Sequence, residues 1–375
     1  MFNKKSLLAG SVIAATAVTP GLAEAQSSVQ MYGRIDAGLE YVSGQPTGPN
    51  ANGAPTGTAT RFSQESGDGG VSMFGLKGTE DIGGGTKILF HLELQFLANN
   101  GTLAGAGLFN RFSTVGISND SYGTLTLGHQ LFISNAVWDF DPFGQSPWAS
   151  ASLVRGRNWP FTNNAVNYDS PKFGGFDFTG QYALSNATSW NGNGTTSSGR
   201  NAGFYVTYTN SVFQVRGLYD ETRNPTTGKL DDPFLYSREY TLATNVFLGQ
   251  VKLMAAYQAS RTSGIASLTG GQPTTTDHFW GGATWQVTPA FSLTGAAYHI
   301  NANNNGGNAT MYSVGASYSL SKRTVLSTQF ATVRNSSTAN FSLFAINPAG
   351  DSVATGNPPK GHSQSGAYIG MMHYF

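Results

Sequence analysis

Cysteine is absent from the 375 residues, and charge is scarce. Only 11% of the residues are Asp, Glu, Lys or Arg, against about 25% in an average soluble domain. The formal net charge is +1, so the chain lacks the basic surplus that binding to nucleic acid requires. Without cysteine there is no disulfide framework, and other interactions must stabilise the fold.

Long hydrophobic runs are missing beyond the first residues. Lys4 and Lys5 precede the apolar stretch LLAGSVIAATAV, and the small-residue site AEA follows at 23–25. This order is typical of a secretory signal peptide, and the apolar stretch is shorter than the ~20 residues of a membrane-spanning helix. We therefore predict a cleaved signal peptide at 1–25, export from the cytoplasm, and one mature domain at 26–375.

Most of the remaining chain alternates between apolar and polar residues. In TKILFHLELQF, Ile88, Phe90 and Leu92 share one parity, and His91 and Glu93 share the other. This alternation predicts a strand with one apolar and one polar face. The predicted strands are about 9–12 residues long, longer than the ~5–6 of globular proteins and long enough to cross a bilayer at a tilt.

The connections between predicted strands alternate in length. Short polar turns such as EDIGGG, NDSYG and LSKR alternate with long loops, which is the pattern of an outer-membrane barrel. We predict an all-β, transmembrane, antiparallel barrel of about sixteen strands and about eight long connections, with both chain ends on the short-turn rim. The predicted long loops include 43–68, 131–164, 185–201, 221–237, 261–277 and 334–364.

The closing stretch SGAYIGMMHYF alternates up to its aromatic end, Phe375. In lipid every backbone N–H and C=O group must be paired, so an open sheet edge is not tolerated. The first and last strands must therefore pair with each other. We predict that the last strand stays in register to its final residue, where Phe375 belongs to an aromatic girdle at the membrane boundary.

Several stretches resemble a known family, in order from Val29 to Phe375. YGRIDAGLEY, FGLKGTEDIGGGTKILFHLE, YGTLTLGHQ, VNYDSPKFGGF and SYSLSKRT, with the closing HYF, resemble the general trimeric porins of Gram-negative bacteria, most closely the beta-proteobacterial and Neisserial branch. The resemblance implies a homotrimer among outer-membrane lipid and lipopolysaccharide, and a third long loop folded into the lumen. It also implies that the outer-membrane assembly machinery reads Phe375.

The inferred polar faces predict the lining of a channel. A barrel of about 16–18 strands leaves an aqueous passage, and both signs of charge occur on the inner parity, which suits small hydrophilic solutes. The pore-lining candidates are Arg34, Lys77, Glu93, Arg111 and Arg216. Several porins carry Arg where this chain has Met73, His129 and Met372, so the resemblance leaves the sign of ion selectivity open.

The third long connection supplies the constriction candidates. If it folds inward, Asp139 and Asp141 are its acidic groups at the narrowest point, and Arg155 and Arg157 are cations that oppose them. A transverse field there would be weakly screened, because the Debye length of ~8 Å is comparable with such an opening. Two other readings of WDFDP remain open, a solvated surface turn and a Ca²⁺ site, although the carboxylate spacing of calcium loops is missing.

The function that these features predict is a general diffusion porin without catalysis, metal or cofactor. The six histidines lack the helical i, i+4 spacing of a zinc site, and no motif marks a nucleophile. Two alternatives remain: a barrel that acts as an adhesin or surface structural protein, and a substrate-specific sugar channel. A sugar channel requires a run of luminal aromatic residues, of which the inferred inner faces supply few beyond Tyr205 and Trp280.

Overall fold

A computed structural model describes residues 28–184, 199–263 and 272–375, so the predicted signal peptide lies outside the described residues. Within those ranges the chain forms one antiparallel sheet of seventeen strands. Their bounds are β1 (Ser28–Pro49), β2 (Pro55–Glu65), β3 (Met73–Gly83), β4 (Thr86–Gln95), β5 (Phe112–Asn119), β6 (Gly123–Leu131), β7 (Phe161–Asp169), β8 (Phe176–Ala183), β9 (Asn201–Thr209), β10 (Phe213–Thr222), β11 (Arg238–Leu248), β12 (Val251–Arg261), β13 (Thr275–Thr288), β14 (Phe291–Ala302), β15 (Gly307–Ser319), β16 (Thr324–Asn335) and β17 (Gln364–Tyr374).

Strands β2 and β3 occupy one position of the sheet. β2 pairs with β1 from Gly38 to Pro49, and β3 pairs with the same side of β1 from Ser28 to Arg34. The segment 66–72 interrupts this position without adding a new one. The structure is therefore a closed antiparallel barrel of sixteen strand positions, which confirms the predicted fold.

The barrel closes where β1 pairs with β17. The register runs from Ser43 opposite Ser365 to Arg34 opposite Tyr374. Beyond it, Gly33 and Phe375 exchange two backbone hydrogen bonds of 3.1 Å. The last strand thus stays paired up to its final residue, which removes the sheet edge that lipid would leave unsatisfied.

The two faces of the barrel differ as the alternation predicts. The outer face exposes apolar side chains, including Leu39, Leu242, Phe330 and Ile369, each of which is 48–63% exposed. The polar residues of opposite parity point inward. No helix in the described ranges is long and apolar enough to cross a bilayer. An apolar outer surface and a hydrophilic interior are what a barrel needs when it has lipid outside and water inside.

The connections depart from the predicted pattern in two places. The segment predicted as loop 43–68 is mostly strand, because β1 and β2 continue their pairing up to Pro49 and Pro55. The connection 303–306 between β14 and β15 is a short turn on the long-loop rim. Glycine, threonine and proline suggest a loop by composition, but backbone pairing in a hairpin beyond the membrane tolerates them. The expectation of eight long connections is therefore wrong.

A hydrophobic core lies inside the barrel, on the side of β13–β17. Two inward loops supply most of its loop residues, L3 (residues 132–160) and L8 (residues 336–363), and the loop 223–237 adds Phe234. Trp148 and Leu153 of L3 pack there with Phe341 of L8. The wall contributes Trp280, Tyr298, Ile300, Ala302, Ala309, Met311, Ala331, Val333 and Tyr368. These contacts occupy much of this half of the lumen, and two larger open spaces of about 370 Å³ each lie toward the opposite wall, β3–β7.

The outer face permits a test of membrane placement. Leu242→Arg, at the centre of β11, should lower the free energy of unfolding in bilayers by about 2–4 kcal/mol, because it places a charge in hydrocarbon. Thr284→Arg, which faces the lumen from β13, is the control and should cost much less. Urea titration of vesicle-embedded protein measures both; equal losses would show that Leu242 does not face lipid.

Candidate pore aperture formed by the third loop

L3 crosses the lumen as a short 3₁₀ helix, Ile133–Phe140, followed by an irregular segment and one α-helical turn, Ser150–Leu153. The 3₁₀ helix contacts the inner faces of β9–β12, and the α-helical turn contacts β14. The third long connection is thus folded into the barrel. L3 leaves β6 and returns to β7, and its middle contacts β9–β12 and β14, so it crosses the lumen.

Hydrogen bonds from the wall hold the backbone of L3. The indole N–H of Trp280 donates to the carbonyl of Phe140 over 2.9 Å. The hydroxyl of Ser313 and the amide of Gln329 both donate to the carbonyl of Trp148, over 3.1 Å and 3.0 Å. These wall residues are buried, so the bonds satisfy polar groups that water does not reach.

Glycines on the wall leave room for the side chains of L3. A Cβ built on Gly366 of β17 would lie 2.6 Å from the indole of Trp148, and one on Gly315 of β15 would lie 2.8 Å from the ring of Phe143. No real Cβ approaches so closely. The wall therefore needs the smallest residue where L3 packs against it, which positions the loop sterically as well as by hydrogen bonds.

Asp141 is buried in the packing of L3 and does not face the passage. It is 4% exposed and accepts hydrogen bonds from the backbone N–H groups of Phe143 and Ser150 and from the hydroxyl of Tyr298, over 3.0, 2.8 and 2.6 Å. Burial raises the pKa of Asp141 above its ordinary value, while these donors favour its charged form. The expectation that Asp141 charges the aperture is wrong, because the carboxylate links L3 to β14.

Arg157 is also buried, and it anchors the end of L3. It is 2% exposed, and its guanidinium lies 2.5 Å from Asp220 of β10 and 3.6 Å from Glu239 of β11. Its Nε donates to the hydroxyl of Ser237 over 3.2 Å. The expectation that Arg157 opposes an acidic group at the aperture is wrong, because two wall carboxylates already neutralise it.

Arg155 connects L3 to L8 through neutral partners. Its guanidinium donates to the side-chain oxygen of Asn340 over 2.9 Å and lies 4.8 Å from the ring centre of Phe341 and 5.3 Å from that of Phe234. Burial lowers the pKa of Arg155 to about 10, and the more distant carboxylate of Asp232 opposes this effect. Arg155 therefore keeps its charge at neutral pH. Unlike Arg157, it has no carboxylate in direct contact among the described residues.

Asp139 is the acidic candidate of L3 that faces water. Its side chain is 61% exposed, and its Oδ2 lies 2.7 Å from the guanidinium of Arg216 on β10. The side chain of Arg216 itself is 8% exposed and lies 4.2 Å from the ring centre of Tyr205. The structure therefore brings Asp139 and Arg216 together as one partly solvated pair inside the barrel.

The other wall candidates lie on the inner face of β1–β5. Arg34 donates to the side-chain oxygen of Gln145, in L3, over 2.6 Å. Glu93 and Arg111 form a buried pair at 2.5 Å. Lys77 is exposed and lies 4.9 Å from the ring centre of Tyr32. Of the predicted lining residues, Glu93, Arg111 and Arg216 thus present little surface to a solute.

The open space beside L3 is a cavity of about 370 Å³, which we call the aperture cavity. L3 and the first residue of β7 line one side of this cavity. The segment 66–72, the end of β4 and the loop 96–111 line the other side, and L8 contributes one residue. Its lining residues are Val71, Gln95, Ala104, Arg111, Trp138, Gln145, Arg155, Gly156, Trp159, Pro160, Phe161 and Ile346. The set contains two guanidinium groups and three aromatic rings, but no carboxylate.

Sequence reasoning missed the aromatic residues of the aperture. Trp138 and Trp159 stand edge to face, with ring centres 6.3 Å apart at 84°, and Phe161 follows at the start of β7. The alternation of apolar and polar residues predicts which way side chains point in a strand, but not in an irregular loop. The sequence therefore predicts no functional role for these rings. The only indication of these rings in the sequence is the two tryptophans in the motifs WDF and RNWPF of the third long connection.

Metal binding finds no support within the residues that the structure describes. They contain no group of three or more His, Asp or Glu side chains placed to hold an ion. The Ca²⁺ alternative uses Asp139 and Asp141 together, and Asp141 is buried and already accepts three hydrogen bonds from the protein.

A closed barrel with an apolar outer face, a polar inner face and one loop narrowing its lumen defines a transmembrane channel of the porin class. The chain belongs to the Gram-negative porin family, which matches residues 10–338. It is 30% identical to outer membrane porin protein 32 of Delftia acidovorans, over 99% of this chain and 100% of that protein. It is 31% identical to an outer membrane porin protein of Bordetella pertussis, over 84% of this chain and 81% of that one.

The fold matches a solved porin. An anion-selective porin from Comamonas acidovorans superposes with a TM-score of 0.75 at 24% identity, over 93% of this chain and 100% of that one. The relatives therefore establish an outer-membrane porin, while the structural neighbour, at this identity, supports the fold alone.

The glycine contacts of L3 can be tested with a single methyl group. Gly366→Ala should lower the free energy of unfolding by about 1–3 kcal/mol, because Trp148 must shift in a packed core. Gly217→Ala on β10 is the matched control, since no atom lies within 4 Å of its added Cβ. Denaturant titration in detergent measures both variants. Equal stabilities of Gly366→Ala and Gly217→Ala would contradict the packing role.

Proposed function

We propose that this porin is a general diffusion channel in which ions and small hydrophilic solutes pass through the aperture cavity down their own gradients. The single observation that carries this is the cavity of about 370 Å³ left between L3, the loop 96–111 and the ends of β4 and β7, inside a closed barrel. Passive diffusion requires no catalytic cycle and no cofactor. The channel therefore acts without enzymatic activity.

The channel works as a homotrimer embedded in outer-membrane lipid and lipopolysaccharide. The resemblance to trimeric porins supports this assembly, as does the apolar outer face of the barrel. The assembly machinery of the outer membrane reads the final residue, Phe375. That residue is 42% exposed and lies at the end of the strand that closes the barrel, where a partner can reach it.

Two other roles are weaker. An adhesin would need no passage through its lumen, whereas the aperture cavity is lined by polar as well as aromatic side chains. A substrate-specific channel is favoured by one observation, the aromatic rings of the aperture. Its solute class is argued in the next subsection.

Open-channel conductance is the decisive measurement. Purified protein added to a planar bilayer in KCl should produce stepwise current increases, because a continuous aqueous passage conducts ions. A heat-unfolded sample of the same preparation serves as the control for detergent artefacts. Folded protein that inserts into the bilayer without conducting would contradict the diffusion channel and favour the adhesin.

Ion selectivity should respond to Asp139. Asp139→Asn removes the exposed carboxylate of the Asp139–Arg216 pair, so the reversal potential under a KCl gradient should shift toward anions. Asp120→Asn removes the same charge from a turn on the short-turn rim and should shift it less. Reversal potentials of both variants and the parent protein are compared at low salt, where screening is weak. An unchanged potential in Asp139→Asn would place this carboxylate outside the ion path.

A further inference from the structure

The aperture cavity presents aromatic surface from L3 and β7. Trp138, Trp159 and Phe161 are each half-buried, so part of each ring remains uncovered. The ring of His129 is stacked on Phe161 with centres 5.6 Å apart, so Phe161 offers mainly its edge to the cavity. Ring faces attract flat solutes through dispersion and quadrupole interactions, beyond the gain from buried area. Passage of hydrated ions alone does not require three rings in the lining of this cavity.

The charges that line the same cavity have one sign. Arg111 and Arg155 belong to the lining, and no carboxylate does. Glu93 neutralises Arg111 in part, through Nε at 2.5 Å, and Gln95 accepts from Nη1 over 3.3 Å. Arg155 donates only to neutral groups, the side chain of Asn340 and the carbonyl of Pro348. Arg155 also lines a neighbouring cavity together with Asp231, Asp232 and Asp351, none of which contacts its guanidinium. Among the described residues, the lining of the aperture cavity itself therefore carries a positive excess beside its rings.

Arg155 gives an observation independent of the rings. It is 8% exposed, and its Nε has no hydrogen-bond partner within the described part of the chain. A buried guanidinium without an anion in contact is costly, and an anionic solute in the cavity would reduce that cost. The guanidinium of Arg111, 5.4 Å from the ring centre of Phe161, brings a second cation to the aromatic wall.

A second cavity continues the ring-bearing surface toward the short-turn rim. It also measures about 370 Å³ and is lined by Lys77, His91 and Phe112, among others. The rings of His91 and Phe112 are stacked with centres 4.3 Å apart. Phe112, which lines this cavity, directly follows Arg111, which lines the aperture cavity. Asp169 also lines this lower cavity, so the positive excess is strongest at the aperture.

We propose that the aperture cavity is a binding subsite for planar aromatic carboxylates, with the solute's ring against Trp138, Trp159 and the edge of Phe161 and its carboxylate toward Arg155. Arg111, which is already paired with Glu93, contributes only as a second, weaker cation. This inference rests on the proposed channel function and names a solute class for it. The cavity volume falls within the range of about 300–1,000 Å³ of small-molecule sites. Binding must stay weak, because a conducting site has to release what it takes up.

A neutral sugar fits these observations less well. It can stack on the rings, but it gains little from a guanidinium that lacks an anion. A cyclic aliphatic acid has the charge and nearly the size of benzoate, but it lacks the flat π-face. These two solutes therefore separate the contribution of charge from that of the ring.

The test uses single channels in planar bilayers with KCl as the charge carrier. Benzoate should interrupt the current with an apparent dissociation constant about 2- to 10-fold lower than that of cyclohexanecarboxylate, because a ring pair adds to burial and charge. Glucose should interrupt it least. Trp138→Leu and Trp159→Leu should each raise the benzoate constant toward the cyclohexanecarboxylate value and leave the latter nearly unchanged.

Matched controls keep the interpretation unambiguous. Trp285→Leu removes the same side chain from the outer face of β13, where it is 46% exposed, and should leave the benzoate constant unchanged. Phe161→Leu removes a ring that belongs to strand β7 and not to L3. It therefore tests the site even if the tryptophan variants change the conformation of L3 and with it the KCl conductance.

The outcomes are distinct. Absence of KCl current in the parent protein refutes the channel function itself. If the KCl current is normal, three results each overturn the aromatic carboxylate subsite and leave the channel function intact. The first is equal dissociation constants for benzoate and cyclohexanecarboxylate, and the second is stronger block by glucose than by benzoate. The third is benzoate block that neither Phe161→Leu nor either tryptophan variant changes.

Discussion

The pairing of every backbone N–H and C=O group in hydrocarbon is the constraint on which the rest of this structure depends. An antiparallel sheet satisfies it only when closed, so β1 must meet β17, and the pairing extends to the bonds between Gly33 and Phe375. Closure in turn creates an inside and an outside. Once sixteen strand positions surround a lumen, each strand must show apolar side chains to lipid and polar ones to water.

Loops, rather than strands, determine how the lumen is packed. L3 and L8 fold inward and build a hydrophobic core with β13–β17, which fills one half of the barrel. Glycines such as Gly366 and Gly315 give the loop side chains room, and Trp280 and Tyr298 bind the loop backbone and Asp141. The passage is consequently displaced toward β3–β7. Its width and chemistry follow from how firmly these contacts hold L3.

Charge in this porin has mostly structural roles around L3. Arg157 with Asp220 and Glu239, and Asp141 with Tyr298, are buried where a solute does not reach them. Such pairs fix the loop but contribute little to a transverse field. The exposed carboxylate of Asp139, whose partner Arg216 is buried, and the cationic and aromatic lining of the aperture cavity remain to act on a solute. The aperture is thus more aromatic and less acidic than the composition of its loop suggests.

The sequence by itself determined the barrel, its two faces and its closure, because a period of two acts locally and each residue's parity decides its side of the wall. Ile88, Phe90 and Leu92 could be assigned to the outer face, and Glu93 and Arg34 to the inner face, without any tertiary contact. For secondary structure, composition gave a wrong prediction in the hairpin of β1 and β2, where backbone pairing continues through residues typical of a loop. The roles of Asp141, Arg155 and Arg157 were decided by tertiary structure alone. L3 is irregular, so no period relates its residues to a face, and a charge there is buried or exposed according to partners such as Tyr298, Asp220 and Asn340, which lie 63–185 residues away along the chain.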